Sequence, residues 1–110
     1  MSITSTTRDN VTVIFLEGSI DGKTATVVRD ELRPLLERAG DVVLDMSKVD
    51  YLSSAGLRLL LLVYREFVAK NKKLVLAGMS QEIEEVMSYT GFLNFFRLAS
   101  NNTQAMKMMA

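Results

Sequence analysis

With 110 residues, 48% of them apolar, the chain can build one hydrophobic core without a metal or a disulfide to hold it. Thirteen basic and thirteen acidic residues cancel, which removes the positive field that draws proteins to nucleic acid or anionic membranes. The absence of cysteine and histidine excludes disulfides, thiolate nucleophiles, imidazole bases, phosphohistidine transfer and the transition-metal sites built on those ligands.

Residues 1–7 are polar and uncharged, unlike a secretory signal, so the expected location is the cytoplasm. Residues 3–8 alternate weakly, Asp9-Asn10 offers turn chemistry, and residues 11–17 are rich in β-branched and aromatic side chains, so an opening hairpin is predicted. After a loop at 18–23, residues 24–39 carry Val27, Val28, Leu32, Leu35 and Leu36 at helical spacing and stop before Gly40. Pro34 falls inside that helix, where it forfeits a hydrogen bond to the Asp30 carbonyl and should kink or tighten it.

Residues 41–46 form a short apolar run between aspartates, as in a buried strand, and 73–77 repeat the pattern after a helical stretch over 55–71. Strand, helix and strand in that order imply parallel pairing through a crossover. Within 57–64, the most apolar run, Arg58 interrupts, and the run is far short of the ~20 residues a membrane span needs. Ser80 is placed to cap a helix reaching Thr90, with Gly91 closing it; residues 92–98 then supply a last strand, and the methionine-rich tail can form a final amphipathic turn or two. The sum is a single domain over 1–110, a mixed sheet layered with helices, of α/β or α+β class.

Ser53 and Ser54 sit where a helix starts. There the first backbone N–H groups have no intrahelical partner and the peptide dipoles add partial positive charge, so an anion on either serine is stabilised. Simple capping is the bland alternative, and serine does it commonly. Gly56 argues for something closer, because glycine near a helix start is better explained by the approach of another group. At ~100° per residue, Leu57, Leu60, Leu61, Tyr64, Phe67 and Val68 share the face expected to pack on the sheet, opposite Arg58, Arg65 and Ala69. Leu62 falls within that opposite stripe and Leu59 on its border, so the two are expected to form an exposed apolar contact patch for a protein partner.

At these residues the sequence resembles the STAS family of bacterial anti-sigma factor antagonists. Tyr51-Leu52-Ser53-Ser54-Ala55-Gly56-Leu57 follows its fingerprint, and Glu17-Gly18-Ser19-Ile20-Asp21 and Thr90-Gly91-Phe92 fall in the family's order. The resemblance implies a mixed sheet of four or five strands with helices packed on one face, and a partner-switching role without catalysis by this chain. The partner would be a serine kinase that doubles as an anti-sigma factor, bound while the antagonist is unphosphorylated; a PP2C-type phosphatase would restore binding. Carried over by position, the modified residue is Ser54, with Ser53 the alternative because relatives often carry aspartate there. The expected contact surface comprises Asp21, Gly22, Lys23, Ser53, Ser54, Arg58, Leu59 and Leu62. Self-association is left open.

Two other classes compete. A STAS scaffold within a signalling or membrane-transport assembly would need the serine pair only as a cap. An enzyme using Asp21, Asp45 or Asp50 with a serine nucleophile would need Lys23 or Lys48 desolvated beside Ser54, whereas Asp45 and Asp50 read more simply as turn chemistry flanking a strand end. No glycine-rich phosphate loop is present, since Gly18 and Gly22 lack the required spacing. Neither a cofactor nor a metal is therefore expected, and Met79, Met87 and the C-terminal methionines read as core or interface filler.

Overall fold

A computed structural model describes residues 1–109. Strands β1 (Ser2–Arg8) and β2 (Val11–Ile20) form the opening hairpin with Arg8 opposite Val11. Asp9 and Asn10 make its turn at φ 52° and 64°, the left-handed conformation that a two-residue hairpin needs and these residues tolerate best.

Three crossovers follow. Helix α1 (Thr24–Arg38) leads to β3 (Asp41–Leu52), α2 (Ser54–Ala69) to β4 (Leu74–Ala77), and α3 (Gln81–Tyr89) to β5 (Arg97–Ala99). Each strand lies parallel to the one before it, and the five stand in sequence order with the antiparallel β1 at one edge. Parallel neighbours cannot be joined by a tight turn, which is why a helix separates each pair.

Ile14, Leu16 and Ile20 of β2, Val42, Leu44 and Met46 of β3, and Leu74 and Leu76 of β4 point to one face and pack under α1, α2 and α3. Removing such side chains from water contributes about 1.5–3 kcal/mol each. The other face is smaller: Val11, Val43, Val75, Ala77 and Ala99 pack against Ala105, Met106, Met108 and Met109 of a short helix α4 (Asn102–Met109). The methionines thus act as filler, although α4 lies across the sheet from the other helices.

Four local expectations are corrected. Strand β3 runs on past Met46 to Leu52, with irregular register against β2 between Phe15 and Glu17 and between Gly18 and Ser19. Gly18, Ser19 and Ile20 therefore belong to β2 rather than to a loop. Residues 92–95 form a short 3-10 helix after Gly91 (φ 80°), leaving only Arg97–Ala99 as strand; Phe95 and Phe96 fold back onto Tyr64 instead. In α2 the buried stripe is Gly56, Leu57, Leu59, Leu60, Val63 and Phe67, so Val68, assigned to the core face, is exposed. Pro34 lies within α1 as expected, on its exposed side, and Asp30 is exposed too, so water can take the hydrogen bond the ring forfeits.

Candidate functional site at the paired helix starts

The site begins where β2 and β3 end together, Ile20 opposite Leu52. One residue beyond Leu52, the Ser53 N–H donates to the Ile20 carbonyl at 2.9 Å, tying the start of α2 to the loop that opens α1. Ser53 is the N-cap: its backbone is extended, and its hydroxyl accepts from the Gly56 N–H at 3.3 Å. Ser54 is the first helical residue. It is exposed, and its hydroxyl makes no hydrogen bond among the described residues.

Gly56 is fixed by contact. A Cβ there would stand 2.5 Å from Leu52 Cδ1, 2.9 Å from the Ile20 carbonyl oxygen and 3.0 Å from Ile20 Cγ2. The approach inferred from the sequence is therefore that of the ends of β2 and β3, against which the tip of α2 is pressed. One turn further, Arg58 folds back and its Nε–H donates to the Ser54 carbonyl at 3.4 Å, holding a guanidinium beside the exposed serine.

Asp21 organises the start of α1. Its Oδ1 accepts from the Lys23 N–H at 2.9 Å and the Thr24 N–H at 3.0 Å, while the Thr24 hydroxyl accepts from the Asp21 N–H at 2.9 Å and contacts the Ser19 carbonyl at 2.7 Å. The Thr24 and then the Lys23 backbone N–H groups hold the Asp21 carboxyl below the usual carboxylate range. Gly22 and Lys23 are exposed. Asp21, Gly22, Lys23, Ser53, Ser54 and Arg58 therefore belong to two adjoining helix starts at one end of the sheet.

The leucines divide. Leu62 is 53% exposed as expected, but Leu59, expected to be exposed, is only 6% so, because α1 packs beside α2 and covers it. Between the two helices lies a shallow groove lined by Ala25, Thr26, Arg29, Ala55, Arg58, Leu59 and Leu62. Leu59 is its floor and Leu62 its rim. Sequence reasoning missed Thr26 and Arg29; the helical phase of Ala25, Val28, Leu32 and Leu36 would have turned both outward. The same phase leaves Val27, counted with the apolar face, 48% exposed.

The carboxylates weighed as acid or base lie elsewhere. Asp45 sits within β3, not at its end, and its carboxylate accepts from the Ser47 N–H, the Ser47 hydroxyl and the Asn102 side-chain amide, so it anchors α4. Asp50 is an exposed residue of β3, and Lys23 and Lys48 are exposed. Among the described residues no lysine hydrogen-bonds to either serine, no group of acidic residues could hold a metal ion, and no helix is long and apolar enough to cross a membrane.

The family model of the STAS domain matches residues 2–105, and the chain belongs to that family. It is 32% identical over 106 residues to BtrV of Bordetella bronchiseptica, which carries the name of an anti-sigma factor antagonist, covering 96% of this chain and 91% of that one. In fold it resembles an anti-sigma factor antagonist structure from Thermotoga maritima with a TM-score of 0.90 and 15% identity, over 96% of this chain and 92% of that one. It also resembles the Bacillus anti-sigma factor antagonist SpoIIAA in its unphosphorylated form, with a TM-score of 0.80 and 16% identity, over 98% and 96% of the two chains.

Proposed function

We propose that this chain is an anti-sigma factor antagonist that binds a serine kinase acting as an anti-sigma factor, and that phosphorylation of Ser54 releases it. The observation that carries the assignment is the division of labour at the start of α2. Ser53 spends its hydroxyl on capping the helix, whereas Ser54 is exposed with its hydroxyl unengaged. Modifying Ser53 would sacrifice a cap worth about 1 kcal/mol; modifying Ser54 sacrifices nothing.

The switch is electrostatic. A phosphate brings about 1.5–2 negative charges to a residue whose helix start carries partial positive charge and whose neighbour Arg58 already reaches its carbonyl. The folded antagonist therefore tolerates the phosphate. The interface does not, because a partner seated on Asp21, Gly22, Lys23, Ser53, Ser54, Arg58 and Leu62, with Leu59 beneath, would have to bury that charge. A PP2C-type phosphatase resets the exposed serine, and the chain itself acts by binding: exposed Lys23 and Lys48 provide no desolvated base for a serine nucleophile.

Binding of the cognate kinase to Ser54→Ala and Ser54→Asp variants tests the reading. The alanine variant is expected to keep the unphosphorylated affinity and the aspartate variant to lose at least about tenfold, the scale of one desolvated charge mismatch. Equal affinity of both variants would refute the switch.

A further inference from the structure

The two edges of the sheet differ. β5 ends one side with three residues, a strand too short to template another. β1 ends the other with seven, Ser2–Arg8, all exposed except Ile3, and β2 is its only neighbour in the sheet. We propose that this edge pairs with the same edge of a second copy of the chain, antiparallel about a two-fold axis at Ser5, so that one sheet runs across both chains.

The hairpin turn decides which backbone groups are free. With Asp9 and Asn10 as its two turn residues, Arg8 and Val11 are the closing pair that exchanges both N–H···O bonds. Alternation from Arg8 then directs the N–H and C=O of Thr6, Thr4 and Ser2 to β2, and those of Thr7, Ser5 and Ile3 outward. The register runs unbroken from Ser2 opposite Glu17 to Arg8 opposite Val11, so no bulge changes that parity. Among the described residues, no loop, cap or side-chain hydrogen bond uses the outward backbone groups.

Exposed edges are commonly guarded by proline, a bulge or charge. Residues 2–7 carry none of these: the chain's proline is Pro34, and the first charged side chain is Arg8, beside the turn. Ile3, Thr4, Thr6 and Thr7 are β-branched, the shape that suits a pleated surface.

The strand is complementary to itself. With Ser5 opposite Ser5 of the second copy, Ile3 stands opposite Thr7 and Thr4 opposite Thr6 in both directions, and the outward groups bond in reciprocal pairs. Centring on Ser5 uses all of Ser2–Arg8; any other centre shortens the ladder. Arg8 falls opposite Ser2, so the two arginines stand at opposite ends and no like charges face each other. Ile3 packs against the core beneath the helices, and Thr7 shares that face through its hydroxyl contact with Thr12 at 3.0 Å. An isologous two-fold contact of this kind closes at two chains. No residue of β1 belongs to the serine site, and the pairing does not depend on the switch.

Sedimentation of the full chain over about 0.01–1 mM tests the proposal. The weight-average mass is expected to rise from that of one chain towards that of two, and no further. Ser5→Pro removes an outward N–H but no bond to β2, so it should weaken the dimer at least about tenfold while amide NMR signals beyond β1 stay in place. Ser5→Lys and Ser5→Glu keep that N–H and set like charges opposite each other; each alone should weaken the dimer, and an equimolar mixture of the two should restore it. A single chain at every concentration, growth beyond two chains, a dimer indifferent to these changes, or a mixture no more associated than its components would overturn the proposal.

Discussion

Replacing Gly56 with alanine tests whether the tip of α2 is held against the sheet as closely as described. In an open helix interior the change would stabilise by up to about 1 kcal/mol. Here the new methyl meets Leu52 Cδ1 at 2.5 Å, the Ile20 carbonyl oxygen at 2.9 Å and Ile20 Cγ2 at 3.0 Å. Leu52 can swing only a little, being 5% exposed, and the Ile20 oxygen is backbone that already accepts the Ser53 N–H. Overpacking of this kind costs about 1–3 kcal/mol, so the net expectation is about 1–2 kcal/mol of destabilisation. With a urea m-value of about 1–1.5 kcal/mol/M for a domain of this size, the midpoint should fall by about 1 M. Gly22→Ala is the control: nothing lies within 4 Å of its added Cβ, and the change should be neutral or slightly stabilising. A Gly56→Ala protein as stable as the parent would refute the close approach.

The remaining expectations concern the neighbours of that contact and the far face. Ser53→Ala should lower stability by about 1 kcal/mol in urea melts through loss of the cap, while leaving Ser54 a substrate for the kinase. Leu62→Asp should change stability by less than about 0.5 kcal/mol yet weaken kinase binding at least tenfold, whereas Leu59→Ala should cost about 2–4 kcal/mol, because it empties a buried position; calorimetric binding and urea melts separate the two. For Asp45, burial alone would raise the pKa, but the Ser47 hydroxyl and backbone N–H, the Asn102 amide and Lys48 together outweigh it and leave it below 3.8. A carboxyl whose pKa drops on folding stabilises the fold fully above its unfolded value and loses that contribution as pH falls through the folded one. The Asn102 side-chain NMR signals should therefore shift with a midpoint below 3.8, and Asp45→Ala should abolish that transition.

The parts legible in the sequence were those set by local chemistry. Asp9-Asn10 announced the hairpin, Ser80 announced α3 and caps it through the Ile83 N–H at 3.2 Å, and the serine pair announced the start of α2. Gly56 signalled a close approach, although only the fold shows that Ile20 and Leu52 make it. What stayed hidden depends on partners distant in the chain. Ser47-Lys48 resembles a turn, yet β3 continues through it because β2 extends alongside to Ile20. Leu59 looks like a surface leucine until α1 is laid beside α2. Phe92 to Phe96 has strand composition, but Gly91 turns the chain and Tyr64 captures the rings. Helix α4 is too short to hold itself, and its docking on the second face rests on Asp45 and on small residues of four strands that no local pattern reveals.

The central claim is that Ser54, and not the capping Ser53, carries the switch. Incubation of the chain with its cognate kinase and ATP, followed by mass-spectrometric mapping of the phosphopeptide, tests it most directly. A single phosphate on Ser54, present in the Ser53→Ala variant and absent from Ser54→Ala, is the predicted result; a phosphate on Ser53, or none on either serine in a reaction where the kinase is active, would contradict it.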